Sequence, residues 1–194
     1  LFFMAIKSYG MGAVLLNDTT TMAIGKSASG IVFSNLINSP EKTSTIDNYK
    51  GKIVILDFWG TYCQPCVAML PKMVTLQKQF EGKFQVLLLN DEPITRVSTF
   101  FSRMEKISPV DLPCELNAGK LFKQFGIQYG PQYVWINKEG KVCAVTAHDA
   151  LTEKNIAAFI KDDAISLTQV TADAPISQYD YHRPLLSGIN GDVS

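Results

Sequence analysis

Two cysteines three positions apart, Cys63 and Cys66, stand where an apolar run ends and a helical pattern begins, in Trp59-Gly60-Thr61-Tyr62-Cys63-Gln64-Pro65-Cys66. That junction places Cys63 at a helix N-terminus, where unpaired backbone N–H groups and the positive end of the helix dipole favour an anion. Such a setting lowers a thiol pKa from its free value of about 8.5 and raises the fraction of reactive thiolate. Cys66, one turn on, falls on the apolar stripe of the helix and is expected to be shielded from solvent. An exposed thiolate that attacks a substrate disulfide, with a hidden thiol that resolves the mixed disulfide, is what thiol–disulfide exchange requires. Pro65 suits the first helical turn, where a missing N–H costs nothing. The same C-x-x-C is also half of a zinc site, and a structural zinc asks for four ligands, usually in two knuckles or a knuckle and a histidine pair. The remaining sulfur and imidazole candidates are Cys114, Cys143, His148 and His182, all isolated from one another. Cys114 and Cys143 are expected to be buried small hydrophobes, a second disulfide being the alternative.

The elements that must position this motif follow from hydrophobic periodicity. Ile53–Trp59 is a continuous apolar run broken only by Asp57, which suits a central strand covered on both faces. A helix is expected from Gln64 to Phe80, with Cys66, Met69, Met73, Leu76 and Phe80 drawing one stripe. Phe84–Leu89 reads as a second buried strand, Ile94–Ile107 as an amphipathic helix and Val110–Cys114 as a short strand. Asn117 is expected to cap a helix running to Phe125. Tyr133–Ile136 and Val142–Thr146 flank the turn Asn137-Lys138-Glu139-Gly140, a β-hairpin. Thr152 caps a last helix whose buried face is Ile156, Phe159 and Ile160. Ile31–Phe33 is a short preliminary strand. This alternation predicts an α/β sandwich on a mixed sheet.

Composition narrows the function. The chain has 194 residues, of which 46% are hydrophobic and 19% charged, the values of a globular protein. Eighteen basic residues balance eighteen acidic ones. The basic excess that nucleic-acid binding normally calls for is absent. No apolar run approaches the roughly 18 residues of a membrane-spanning helix. Gly25-Lys26-Ser27 resembles the end of a P-loop, but Thr20 stands where glycine is required, and nucleotide binding is not supported. Residues 1–22 read as a leader or extension, containing an Asn17-Asp18-Thr19 sequon of little weight. Lys7 and two glycines interrupt its apolar stretches, so no clear secretory signal emerges. Two starts fit: after a removed leader, or inside a longer product. The main domain is expected over 23–165. Residues 166–194, punctuated by Pro175, Pro184, Gly188 and Gly191, read as a tail or linker.

Ile55-Leu56-Asp57-Phe58-Trp59 followed by Cys63-Gln64-Pro65-Cys66 resembles the active-site strand and motif of the thioredoxin superfamily. Pro71, five residues after Cys66, matches the proline that kinks this helix in the family. Gly130-Pro131 before an apolar strand matches its cis-proline loop, and Lys138-Glu139-Gly140-Lys141 its terminal hairpin. The helix and strand between 94 and 114 match the insertion of the extracytoplasmic TlpA/ResA-like branch, which peroxiredoxins share. Ile24-Gly25-Lys26 and Tyr49–Val54 resemble that branch's lead-in. The resemblance covers roughly residues 23–162. Tyr62 replaces a usual tryptophan, and Met69 stands where this branch often has an acid.

This resemblance implies a thioredoxin-like three-layer α/β/α sandwich with a central mixed sheet, an α-β insertion and an N-terminal extension. It implies a thiol–disulfide oxidoreductase, with Cys63 and Cys66 forming a redox-active disulfide. Asp57 would carry protons to and from Cys66, a role suited to a carboxyl whose pKa burial raises. Gly130 and Pro131, with Trp59, Tyr62, Gln64 and Pro65, would contact substrate. The expected partners are disulfide-bearing proteins and an upstream dithiol donor, and the expected location is extracytoplasmic. No organic cofactor is implied, since the dithiol carries the electrons. Two alternatives stay open: a peroxiredoxin-like thiol peroxidase, disfavoured because Cys63 occupies the place of its threonine, and a copper- or zinc-binding module.

Overall fold

Short apolar pairs alternating with turn residues form three brief strands first: β1 (Val32–Phe33), β2 (Leu36–Ile37) and β3 (Ser44–Thr45). The apolar run that follows is β4 (Ile53–Phe58), buried at every position. A turn at Thr61 and Tyr62, closed by the Cys63 N–H on the Gly60 carbonyl, leads the chain into α1 (Gln64–Gln79). Then come β5 (Phe84–Asn90), α2 (Ile94–Met104), β6 (Cys114–Leu116), α3 (Gly119–Phe125), β7 (Gln132–Ile136), β8 (Val142–Thr146) and α4 (Glu153–Ile160). The computed structural model describes residues 24–128, 130–162, Leu167 and Gln169. The expected leader over 1–22 with its sequon, His182, and the expected tail over 166–194, apart from Leu167 and Gln169, lie outside the described residues.

Six strands form one mixed sheet in the order β2-β6-β5-β4-β7-β8. β4 runs parallel to β5, and β5 to β6, while β7 pairs antiparallel with β4 and β8. Strand alternation sends successive β4 residues to opposite faces. Ile53 and Ile55 therefore join α1, α2 and α4 in one core, around Cys66, Leu70, Met73, Val97 and Ile156. Val54, Leu56 and Phe58 join α3 and the N-terminal strands in the other, with Leu121, Phe125, Phe33 and Ile46. Helices thus cover both faces, as the three-layer expectation has it. The α1 stripe is wider than its periodicity suggested, since Leu70 and Val74 are buried while Met69 and Phe80 lie at its margin.

Local chemistry explains the other differences. Val110, Leu112 and Cys114 do alternate inward, but Pro113 has no N–H to give to a ladder, and the strand begins only at Cys114. Asn117 is not a cap: its φ is 59°, a left-handed turn residue, and α3 begins at Gly119 with no side-chain cap. α2 stops at Met104 rather than Ile107, which is exposed. Cys143 is half-exposed rather than buried, because β8 turns Val142, Ala144 and Thr146 inward and Cys143 outward. Thr152 does cap α4, accepting the Asn155 N–H at 3.2 Å.

Candidate active site

Cys63 is the N-cap of α1. Its extended backbone carries the chain into the helix, and its sulfur accepts the Cys66 N–H at 3.3 Å. The two cysteines are joined by a disulfide, with Cα atoms 5.2 Å apart. Cys63 keeps 6% of its surface exposed and Cys66 none. The expected contrast between an open and a hidden sulfur is therefore present but small. The first turn of α1 carries no acidic residue, and Gln64 and Pro65 are uncharged, so the helix N-terminus itself is the main local influence on a Cys63 thiolate.

Asp57 lies on β4, the strand that leads into the motif, on the face of the core that holds Cys66. It is fully buried between Leu88 of β5 and Tyr133 of β7, its partners in the sheet register. Neither carboxylate oxygen has a hydrogen-bond partner. Desolvation pushes its pKa well above the ordinary 3.8, so the group is held as a neutral acid far into the pH range where a free aspartate is ionised.

The Gly130–Pro131 peptide is cis. It brings Gly130 against the disulfide, where a Cβ would stand 3.2 Å from Cys66 Sγ and 2.6 Å from the Phe58 carbonyl oxygen. Only glycine fits so close an approach without displacing the strand end. Tyr62 is 78% exposed beside the motif. Trp59 is not: it is buried, packed at a tilt against Phe100 and edge-to-face against Phe101 of α2, at centroid distances of 5.2 and 5.7 Å. Its place in the expected substrate surface shrinks to an edge lining a cavity of about 380 Å³ shared with Tyr62, Glu92, Phe122 and Lys123. The α2 insertion therefore supports the motif from behind.

Cys114 is buried and carries a free thiol, pushed up by desolvation and by the charges of Asp57 and Glu115, with the Trp59 indole acting the other way. Cys143 is also free. Among the described residues no three His, Cys, Asp or Glu side chains gather as a metal site. The peroxidase alternative would need Cys66 as the attacking thiol, and Cys66 offers a peroxide no surface. Sequence reasoning missed Glu92, whose carboxylate receives both the N–H and the hydroxyl of Thr61. Its one sequence signal is a position just past a buried strand.

Comparison with known proteins agrees with this geometry. A family model described as the AhpC/TSA family matches residues 25–145. The thiol-disulfide oxidoreductase ResA of Bacillus thuringiensis subsp. konkukian is 32% identical over 123 residues, covering 62% of this chain and 68% of that protein. ResA of Geobacillus thermodenitrificans is 28% identical over 144 residues, 73% of this chain and 79% of its own length. In fold, the chain is similar to a protein assigned as the thiol:disulfide interchange protein DsbE of Chlorobium tepidum, with a TM-score of 0.62 at 21% identity over 72% of this chain and 99% of the other. The chain belongs to the AhpC/TSA family, and within its thioredoxin-like members it is a ResA-like thiol–disulfide oxidoreductase.

Proposed function

We propose that the chain reduces disulfides in other proteins outside the cytoplasm, with Cys63 attacking and Cys66 resolving. In the reduced enzyme the Cys63 thiolate attacks one sulfur of a substrate disulfide, forming a mixed disulfide and releasing the other substrate sulfur as a thiolate. Cys66 then attacks the Cys63 sulfur, the Cys63–Cys66 disulfide forms, and the second substrate sulfur leaves. The Cys66 proton goes to the ionised form of Asp57, buried in the same core, which burial makes a stronger base than a free carboxylate. Two electrons pass to the substrate, and an upstream dithiol donor restores the pair. Gly130 and Pro131 line the approach to the sulfurs, with Tyr62, Gln64 and Pro65 completing the contact surface. The domain that performs this spans 23–165. No helix among the described residues is long and apolar enough to cross a membrane.

The observation that carries this reading is the Cys63–Cys66 disulfide at the start of α1, with only Cys63 reachable and an unpartnered buried acid on the strand beneath. The direction of flow follows from what stabilises the thiolate. A strong oxidant needs a thiolate so stable that its reduced form dominates. Here a helix N-terminus is present but no cationic side chain lies within the motif, which favours a reducing pair. The reduction potential against glutathione tests this. A value near the about −270 mV of thioredoxin, with turnover of insulin disulfides, supports a reductase, whereas one near the about −120 mV of DsbA contradicts it.

A further inference from the structure

A network that redox chemistry does not itself require ties the loop ahead of Cys63 to the end of β5. Thr61, two residues before Cys63, donates its N–H to Glu92 Oε2 at 2.6 Å and its hydroxyl to Oε1 at 2.8 Å. Asn90 donates to the same Oε2 at 3.1 Å and to the Trp59 carbonyl at 3.3 Å, and its Oδ1 accepts the Glu92 N–H at 2.7 Å. Arg96 Nη1 stands 3.3 Å from Oε1. The Glu92 side chain is only 11% exposed, whereas that of Arg96 is 61% exposed. Burial alone would raise the Glu92 pKa, but hydrogen bonds from Thr61, Asn90 and Arg96 outweigh it and hold the carboxyl below its ordinary 4.5. The group is an anion at neutral pH.

A shielded anion so close to an attacking thiol acts mechanically and electrostatically at once. We propose that Glu92 is a positioning residue of the redox pair: its carboxylate fixes the turn that presents Cys63 and sets a permanent negative charge that moderates the thiolate. This rests on the reading that Cys63 attacks. Two residues of chain span about 7 Å at most, which places the carboxylate on the order of 10 Å from the Cys63 sulfur. At that range a unit charge in a protein-surface dielectric moves a pKa by about one unit at most, and by less once solvent screens it. The other charged groups around this corner are Arg96 on α2, Asp91 beside Glu92 and Lys123 on α3; Asp57 on β4 is a titratable group that burial keeps neutral, and the first turn of α1 adds no acid. Neutralising Glu92 leaves Arg96 unopposed, which pushes the Cys63 thiol in the same direction, towards ionisation.

The test is the pH dependence of alkylation in the reduced protein, with the modified cysteine located by peptide mass. The potential of the pair in glutathione buffers is measured alongside, for wild type, Glu92→Gln and Glu92→Ala. Glu92→Gln keeps an acceptor for Thr61 and removes the charge. It should lower the alkylation midpoint by a few tenths of a pH unit to about one unit, and shift the equilibrium with glutathione towards the reduced protein. Glu92→Ala should do the same and also lower the thermal midpoint, since Thr61 loses its acceptor. If Glu92→Gln changes only thermal stability, leaving midpoint and potential at the wild-type values, the proposal is overturned. If the labelled thiol is Cys66, the attacking role of Cys63 fails instead, and the potential of Glu92→Gln still decides the role of Glu92.

Discussion

Asp57 is the residue where burial and reactivity meet most directly. Its folded-state pKa lies above the ordinary 3.8 because desolvation disfavours the charged form. Above that pH the unfolded chain has released this proton while the folded chain still holds it. The folded state then binds more protons, so stability falls as pH rises, by up to about 1.4 kcal/mol per pH unit from this one group, until the folded pKa is passed. Asp57→Asn abolishes that slope. Urea unfolding of the oxidised protein at several pH values should show the variant gaining on wild type from about pH 4 towards neutrality; a difference that does not vary with pH would contradict the assignment. The same substitution should slow resolution of the mixed disulfide while leaving the alkylation rate of Cys63 nearly intact. The pairing of Cys63 with Cys66 and the burial of Asp57 were legible in the sequence because their signals are local: a spacing, a helix start, and a charge inside an apolar run. Glu92 was not. Its contact with Thr61 exists only because β4 and β5 run parallel and end side by side, with Phe58 opposite Leu89, and no local pattern announces which loop residues will then meet.

At the scale of elements, long periodic segments were read well and short connectors less so. β4, α1, β5 and the β7–β8 hairpin stand within a residue or two of their expected bounds, since each buries a continuous face. β6 and the start of α3 were misplaced, because Pro113 and the left-handed Asn117 decide them against the apolar pattern. One buried side chain there has a purely architectural task. Glu115 on β6 accepts the N–H groups of Ser34 and Asn35 at 3.1 and 3.0 Å, fastening β2 to the edge of the sheet. Glu115→Ala leaves both amides without this acceptor, a loss of about 1–3 kcal/mol. Chemical denaturation should show that loss while the reduction potential stays at the wild-type value. A changed potential would mean that the sheet edge and the redox pair are coupled.

The whole molecule divides its labour across the sheet. One core, under α1, α2 and α4, holds the redox pair, with the indole of Trp59 sealed beneath the insertion. The other, under α3 and the N-terminal strands, holds the opposite face of β4 in place. A site assembled this way needs β4, α1 and the Gly130–Pro131 loop in register, although 64 residues of chain lie between Cys66 and Pro131. That juxtaposition was available to sequence reading only through the family resemblance, because periodicity gives elements and not their neighbours. Everything proposed for the site turns on an unequal division of roles between Cys63 and Cys66, and trapping measures that division directly. Cys66→Ser and Cys63→Ser proteins, reduced and exposed to a disulfide-bearing protein substrate, are resolved on non-reducing gels and the linked cysteine is identified by mass. Cys66→Ser should accumulate a mixed disulfide through Cys63, which cannot be resolved, while Cys63→Ser should trap nothing. A stable adduct formed through Cys66 in the Cys63→Ser protein, with none in Cys66→Ser, would contradict that division.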